Sequence, residues 1–251
     1  MKALTRWLLL CLLAFASLQL FFVARIAALV VVNPASTSFE RSEALRLVRE
    51  TGHLRWQQQW VPYAQISDQL KRAVIASEDD GFVDHDGVEW DAVQKAWKKN
   101  AQAEARAGVR TSPAVALALG TPTGRGRQPK IVGGSTITQQ LAKNLLLSGE
   151  RTLLRKGQEL VLTLLLETFL DKRRILELYL NHVEWGEGVF GAEAAAQHYF
   201  HKPAARLNAA EAARLAVMLP RPKYFEKLPG SPYLLSRSAT IEARMGAAIL
   251  P

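Results

Sequence analysis

Between Trp7 and Val32 the chain carries one charged residue, Arg25, in an otherwise almost wholly apolar stretch. A helix needs about 20 apolar residues to cross the hydrocarbon core of a bilayer, and Trp7–Ala24 with its continuation Ile26–Val32 meets that length. The apolar region of a cleaved export signal runs to about 7–15 residues. Ala14-Phe15-Ala16 fits a small-x-small cleavage pattern, and cleavage there is the minor alternative, since the run around it is longer than such a signal. Buried core helices of soluble proteins seldom reach this length either. Lys2 and Arg6 precede the run, so the positive-inside rule holds them inside and places everything after Val32 outside the cytoplasm. Arg25 is expected at the outer interface, its stem reaching to the headgroups.

At 251 residues the chain has room for this anchor and one domain with a substantial core. An apolar fraction of 49% and a charged fraction of 22% exclude a disordered or fibrous class. The formal net charge of +9 attracts polyanions, whether nucleic acid, anionic lipid or a phosphorylated substrate, without choosing among them. The single cysteine, Cys11, lies in the apolar run, so neither an intrachain disulfide nor a cysteine metal site can form.

Beyond Val32 no repeat at a period of 20–50 residues is visible, and Asn33–Phe39 reads as a short exposed linker. Ser67-Asp68 can cap a helix through Leu70, Val74 and Ile75 towards Glu78. A further helix is expected from Val88 to about Ala107. Helical periodicity returns over Thr136–Leu147, Leu153–Leu170 and Arg173–Leu180. Asn208 with Glu211 forms a capping-box pattern before Ala212–Leu219, and Pro220 and Pro222 are expected to close that helix. Strand-type alternation is scarce, so the domain is expected to be mostly α. Gly108–Gly134 holds Pro113, Pro122 and Pro129 around an apolar patch, Ala114–Leu119. Eight Lys/Arg residues and one acidic residue, Glu104, lie between Lys95 and Lys130. That composition suits a solvated loop and a surface facing anionic headgroups about equally.

Four segments place polar residues where helical packing does not call for them. Glu78–Gly87 holds Glu78, Asp79, Asp80, Asp84, His85 and Asp86 with two glycines, which suits a site on a helix end and its following loop. Its spacing does not match a Ca²⁺ loop, and a plain capped turn is the simpler alternative. Gly133-Gly134-Ser135-Thr136 leads into a helix whose N-terminal amides can receive an anion. Within that helix Gln139 shares a face with Lys143, and Gln140 with Asn144, while Ile137, Leu141 and Leu145 form the buried stripe. Two amides and a lysine on one face look like a polar wall for a sugar or phosphate. In Arg151–Glu159, Arg155 and Glu159 stand at i,i+4 and could be a surface ion pair. Glu159, however, leads into Leu160-Val161-Leu162, which draws its turn towards the core. The fourth segment, Arg174–Asn181, reads as a packing helix.

In this order the segments resemble the motifs of the peptidoglycan glycosyltransferase family. Glu-Asp-x-x-Phe-x-x-His-x-Gly is matched over Glu78–Gly87, and Gly-Gly-Ser-Thr-Ile-x-Gln-Gln-x-x-Lys-Asn over Gly133–Asn144. Arg-Lys-x-x-Glu is matched at Arg155, Lys156 and Glu159, and Ile-Leu-x-x-Tyr-Leu-Asn over Ile175–Asn181. A family-like stretch, Gly188–Phe200, follows. The resemblance spans about residues 60 to 225, and four ordered motifs make coincidence untenable. No Ser-x-x-Lys or Lys-Thr-Gly is present, so no penicillin-binding domain is expected beside it. The basic stretch before Gly133 is longer than the family's usual spacing, and the C-terminus is shorter.

The resemblance implies a mostly α, lysozyme-like glycosyltransferase domain with a small membrane-facing jaw subdomain, preceded by one transmembrane helix. It divides the chain into a cytoplasmic 1–6, an anchor 7–32, a linker and domain start 33–59, the glycosyltransferase domain 60–225 and a tail 226–251. The enzyme would sit in the inner membrane with its catalytic domain in the periplasm. Its substrates would be lipid II and the growing glycan on polyprenyl pyrophosphate. Membrane lipids, and wall-synthesis and division proteins, would be further partners, and nucleic acid would not. Glu78 and Glu159 would be the catalytic pair. Lys143, Arg151, Ser135, Thr136, Gln139, Gln140, Asn144, Arg155 and Lys156 would bind substrate. Asp79, Phe82, His85 and Gly87 would support Glu78. A divalent cation, Mg²⁺ or Mn²⁺, is compatible with Glu159 but not required. A lysozyme-like glutamate would also suit a wall hydrolase. A non-catalytic scaffold would have no need of Glu78 and Glu159 together.

Overall fold

The computed structural model describes residues 2–90, 94, 102, 135–147 and 152–251. The chain divides into two compact units, one made of Met1–Gly87 with Thr136–Pro251 and the other of Val88–Ser135. The helix expected from Val88 and the basic stretch Gly108–Gly134 lie outside the described residues.

The first unit opens with helix α1, Lys2–Ala28, which is continuous; its apolar window has a mean hydropathy of 2.3 with no residue buried against protein. Its length and composition are those of a membrane span. Beyond it, Leu29–Val32 wind on in a short hydrogen-bonded turn. Ile26 and Leu29 are buried in the domain core, so the end of α1 is built into the fold. Arg174 fixes that end: its Nε donates to the Leu29 carbonyl at 2.8 Å, and its Nη2 to the Val32 carbonyl at 3.1 Å and Asn33 Oδ1 at 2.7 Å.

The linker expected over Asn33–Phe39 is shorter than its composition suggests. Thr37 is fully buried as the N-cap of α2, Ser38–Thr51, in a capping box with Glu40. Glu40 is buried as well, because its Oε1 meets His182 Nδ1 at 2.7 Å and accepts from Gln58 at 2.8 Å. A buried carboxylate needs such partners to be tolerated.

The core is a layered set of helices: α3 (Asp68–Glu78), α4 (Ile137–Leu146), α5 (Leu153–Phe169), α6 (Lys172–His182), α7 (Ala192–Phe200), α8 (Ala209–Met218), α9 (Pro222–Glu226) and α10 (Pro232–Arg244). α3 starts where the Ser67 hydroxyl caps Gln69 N and packs between α8 and α10. Its Leu70, Val74 and Ile75 are at most 1% exposed, each contributing about 1.5–3 kcal/mol by leaving water. α4 lies against α5 and α6, burying the expected stripe of Ile137, Leu141 and Leu145. The capping box of Asn208 and Glu211 opens α8 as the sequence indicates. Pro222 begins α9 at its first turn rather than closing α8, a position where its missing N–H costs nothing.

The alternation that is scarce in the sequence amounts to a three-stranded sheet, β1 (Gln57–Gln58), β3 (Val189–Phe190) and β2 (Glu184–Gly186) in that order. β1 runs parallel to β3, and β2 antiparallel to it with a bulge between Glu184 and Gly186. Asn181 fastens the approach to β1, its side chain accepting from Val61 N at 2.9 Å and donating to the Val61 carbonyl at 3.0 Å.

Candidate active site

α3 ends at Glu78 because Asp79 leaves the helix with φ −162° and ψ 74°. Asp79 is buried and engages both its oxygens: Oδ2 accepts from Ile137 N at 2.9 Å, and Oδ1 meets His85 Nε2 at 2.8 Å. Ile137 is the first residue of α4, so a carboxylate meets the positive end of a helix. Gly87 N donates to His85 Nδ1 at 3.1 Å, which in the neutral ring leaves Nε2 to donate to Asp79. The Asp79 bond draws the imidazole pKa above its ordinary value, against burial. Phe82, fully buried beneath, anchors the loop. The four expected supports of Glu78 thus converge: Asp79, Phe82, His85 and Gly87 form one loop closed onto α4.

Thr136 and Gln139, expected to shape the cleft, are buried and bonded to each other as the cap of α4. The Thr136 hydroxyl also donates to the Gly87 carbonyl at 2.6 Å. These residues carry the loop-to-helix junction. The face that remains is Gln140 and Asn144, half-buried, with exposed Lys143. Gln140 Nε2 donates to Glu78 Oε2 at 2.9 Å. Ser135 is exposed; Gly133, Gly134 and Arg151 lie outside the described residues.

Glu78 is half-buried. Burial pushes its carboxyl above the ordinary glutamate range, and the Asp79 charge adds to this. Hydrogen bonds from Gln140 and Ser77 and the charge of Lys143 oppose the rise. A carboxylate so balanced takes up a proton more readily than a solvated one.

Glu159 lies on α5 and is buried, as its lead into an apolar run suggests. It is hydrogen-bonded by Lys156 and lies 3.6 Å from Arg155 Nη1. Among the described residues no group of three or more His, Cys, Asp or Glu side chains gathers for a metal. The Glu159 oxygens face cations instead, so the described residues do not fit a cation site there.

In the sequence Arg174–Asn181 reads as a packing helix, and nothing in that packing pattern assigns a partner to the hydroxyl of Tyr179. That tyrosine is 1% exposed, and its hydroxyl donates to Gln140 Oε1 at 3.0 Å. Because a carboxylate only accepts, fixing Oε1 on Tyr179 aims the Gln140 amide nitrogen at Glu78. Burial and the charges of Glu78 and Asp79 hold the Tyr179 pKa well above its usual value, so it stays a donor. The signal available in sequence is a tyrosine on an otherwise aliphatic stripe, since buried tyrosines seek a partner for their hydroxyl.

The Transglycosylase family profile matches residues 46–112 and 113–246. A biosynthetic peptidoglycan transglycosylase of Paraburkholderia xenovorans is 51% identical over 239 residues, covering 95% of this chain and 90% of that protein. One of Burkholderia thailandensis is 51% identical over 238 residues, covering 95% of this chain and 84% of the relative. One of Burkholderia lata is 50% identical over 251 residues, covering 98% and 93%.

Proposed function

The chain belongs to the transglycosylase family, and on that premise we propose how its residues carry the reaction. It is a peptidoglycan glycosyltransferase. The growing glycan on polyprenyl pyrophosphate is the donor and lipid II the acceptor. The acceptor's sugar 4-hydroxyl attacks the donor's anomeric carbon from the face opposite the pyrophosphate. The new C–O bond forms as the bond to pyrophosphate breaks, the leaving group taking the electron pair. An α-linked pyrophosphate becomes a β-1,4 glycosidic bond, with inversion.

Glu78 takes the hydroxyl proton as general base. The observation that supports this most is its half-buried carboxylate, raised in pKa and oriented by Gln140. Negative charge building on the pyrophosphate is met by Lys143 and Arg151, with Arg155 and Lys156 assisting. Glu159 holds Lys156 and Arg155 in place by pairing with both. Gln140, Asn144 and Ser135 line the sugar path.

The placement against α1 of α5, which carries Arg155 and Lys156, is consistent with a lipid substrate. A helix of 27 residues is about 40 Å long, roughly 10 Å more than the hydrocarbon core. Gln158 on α5 donates to Gln19 on α1 at 3.4 Å, about 13 Å before α1 ends at 1.5 Å per residue. With Lys2 and Arg6 inside and Arg25 at the outer interface, that contact falls about 9 Å on the membrane side of Arg25 at 1.5 Å per residue, so the first turns of α5 meet the outer half of the span. The domain is then periplasmic and anchored in the inner membrane.

Incubating the detergent-solubilised protein with labelled lipid II, and sizing the products, tests this reading. Long glycan and released polyprenyl pyrophosphate are expected. No polymer, together with shortened strands when finished peptidoglycan is supplied, would establish a hydrolase instead.

A further inference from the structure

We propose that Lys172 and Glu167 are positioning residues for Glu78, holding the Asp79–Gly87 loop and the first turn of α4 in register. This rests on the reading of Glu78 as the base. Neither residue belongs to the motifs that carry the family resemblance. Lys172 is the first residue of α6 and Glu167 lies in the last turn of α5.

The Lys172 ammonium donates to the His85 carbonyl at 2.5 Å and to Glu167 Oε1 at 2.8 Å, and lies 4.8 Å from the centre of the Phe82 ring. Its donors thus meet two loop residues and one helix. Glu167 Oε1 also accepts the Thr138 hydroxyl at 2.6 Å, so a single carboxylate oxygen ties α4 to Lys172. Gly87 presses on the same place. At its φ of +82°, an added Cβ would lie 2.7 Å from Thr163 Cγ2 and 2.8 Å from Glu167 Cγ. Thr138 follows Ile137, whose amide holds one oxygen of Asp79, and His85 itself holds the other. Both partners of Asp79 are therefore fixed, directly or through a neighbour, by the Lys172–Glu167 pair. Asp79 adjoins Glu78, so the pair sets where the base stands without reaching the substrate.

The pair is largely buried, with side chains 18% and 9% exposed. Removing one partner leaves the other charge uncompensated, so the test needs a conservative variant beside the disruptive one. Displacement of a catalytic group by about 1 Å can cost on the order of 10²-fold in rate. Lys172→Met is expected to lower kcat about 10–100-fold by that argument, while KM for lipid II stays within about twofold. Lys172→Arg is expected to restore most of kcat. In ¹⁵N-histidine-labelled protein, the His85 imidazole signals should move in Lys172→Met and return in Lys172→Arg. If Lys172→Met does not fold, Glu167→Gln carries the same measurements, with a smaller loss of kcat expected. Unmoved His85 signals, or normal kcat with raised KM in a folded variant, would overturn the proposal. Failure of the base assignment is separable from this, since near-normal turnover by Glu78→Gln would remove it while leaving the His85 signals free to decide the positioning.

Discussion

Gln140 donates from Nε2 to Oε2 of Glu78 across 2.9 Å. Its orientation is enforced from behind, where the Tyr179 hydroxyl donates to Oε1. Replacing Tyr179 by Phe deletes that hydroxyl and lets the amide turn. One hydrogen bond of this kind contributes about 0.5–1.5 kcal/mol, so kcat should fall roughly 2–10-fold at about 1.4 kcal/mol per decade. KM for lipid II should hold. Steady-state kinetics with labelled lipid II would show this; an unchanged kcat would make Tyr179 a packing residue only.

The same bond sets a pH dependence. Glu78 acts as a base only when ionised, and its carboxyl is held above the ordinary range chiefly by burial. Activity should therefore rise with pH along an acid limb that lies above that range. Gln140 stabilises the ionised form, so Gln140→Leu should move the limb to still higher pH. A pH–rate profile of kcat for both proteins measures the displacement, and a shift to lower pH would contradict the assignment.

A second carboxyl titrates away from this site. Burial pushes Glu184 up to about 7, against the pull of Lys223. A carboxyl whose folded pKa exceeds its unfolded value favours the folded state when protonated. That contribution is complete below the unfolded pKa and is lost as pH rises through about 7. Glu184→Gln should therefore gain stability relative to wild type between about pH 5 and pH 8. Thermal unfolding across that interval reads the difference, and a gap that narrows with rising pH would contradict it.

Arg174 ties the domain to the end of α1 through the Leu29 and Val32 carbonyls and Asn33, and its Nη1 donates to Glu177 at 2.6 Å. Arg174→Ala should cost about 1–3 kcal/mol, the range for leaving such partners unsatisfied. It should also open the segment after Ala28 to protease. Limited proteolysis in detergent would check this, with wild-type resistance counting against a rigid tie.

Much of the fold is legible from the sequence because it rests on local pattern. The apolar run marks α1, the hydroxyl and amide caps mark the starts of α3 and α8, and the spacing of Ile137, Leu141 and Leu145 marks the buried face of α4. Glu159 is readable as buried from the leucines after it. What is not legible depends on distant partners. That Gln139 bonds back to its own cap at Thr136 is not marked in the sequence, because an amide in a helix carries no sign of which way it faces. Thr37 looks exposed because its burial comes from the docking of α2, which Glu40 fixes on His182, more than a hundred residues away in sequence. Tyr179, Glu167 and Lys172 read as ordinary helix residues until α4 and the loop after Glu78 are brought against them.

The most direct test of the account is the single-turnover rate of Glu78→Gln with lipid II, measured beside wild type in the same detergent. Loss of a general base should slow the chemical step by about 10²–10⁴-fold, with lipid II binding retained. Glu78→Gln turning over at a near-normal rate would contradict the assignment of Glu78 and require another group to take the acceptor's proton.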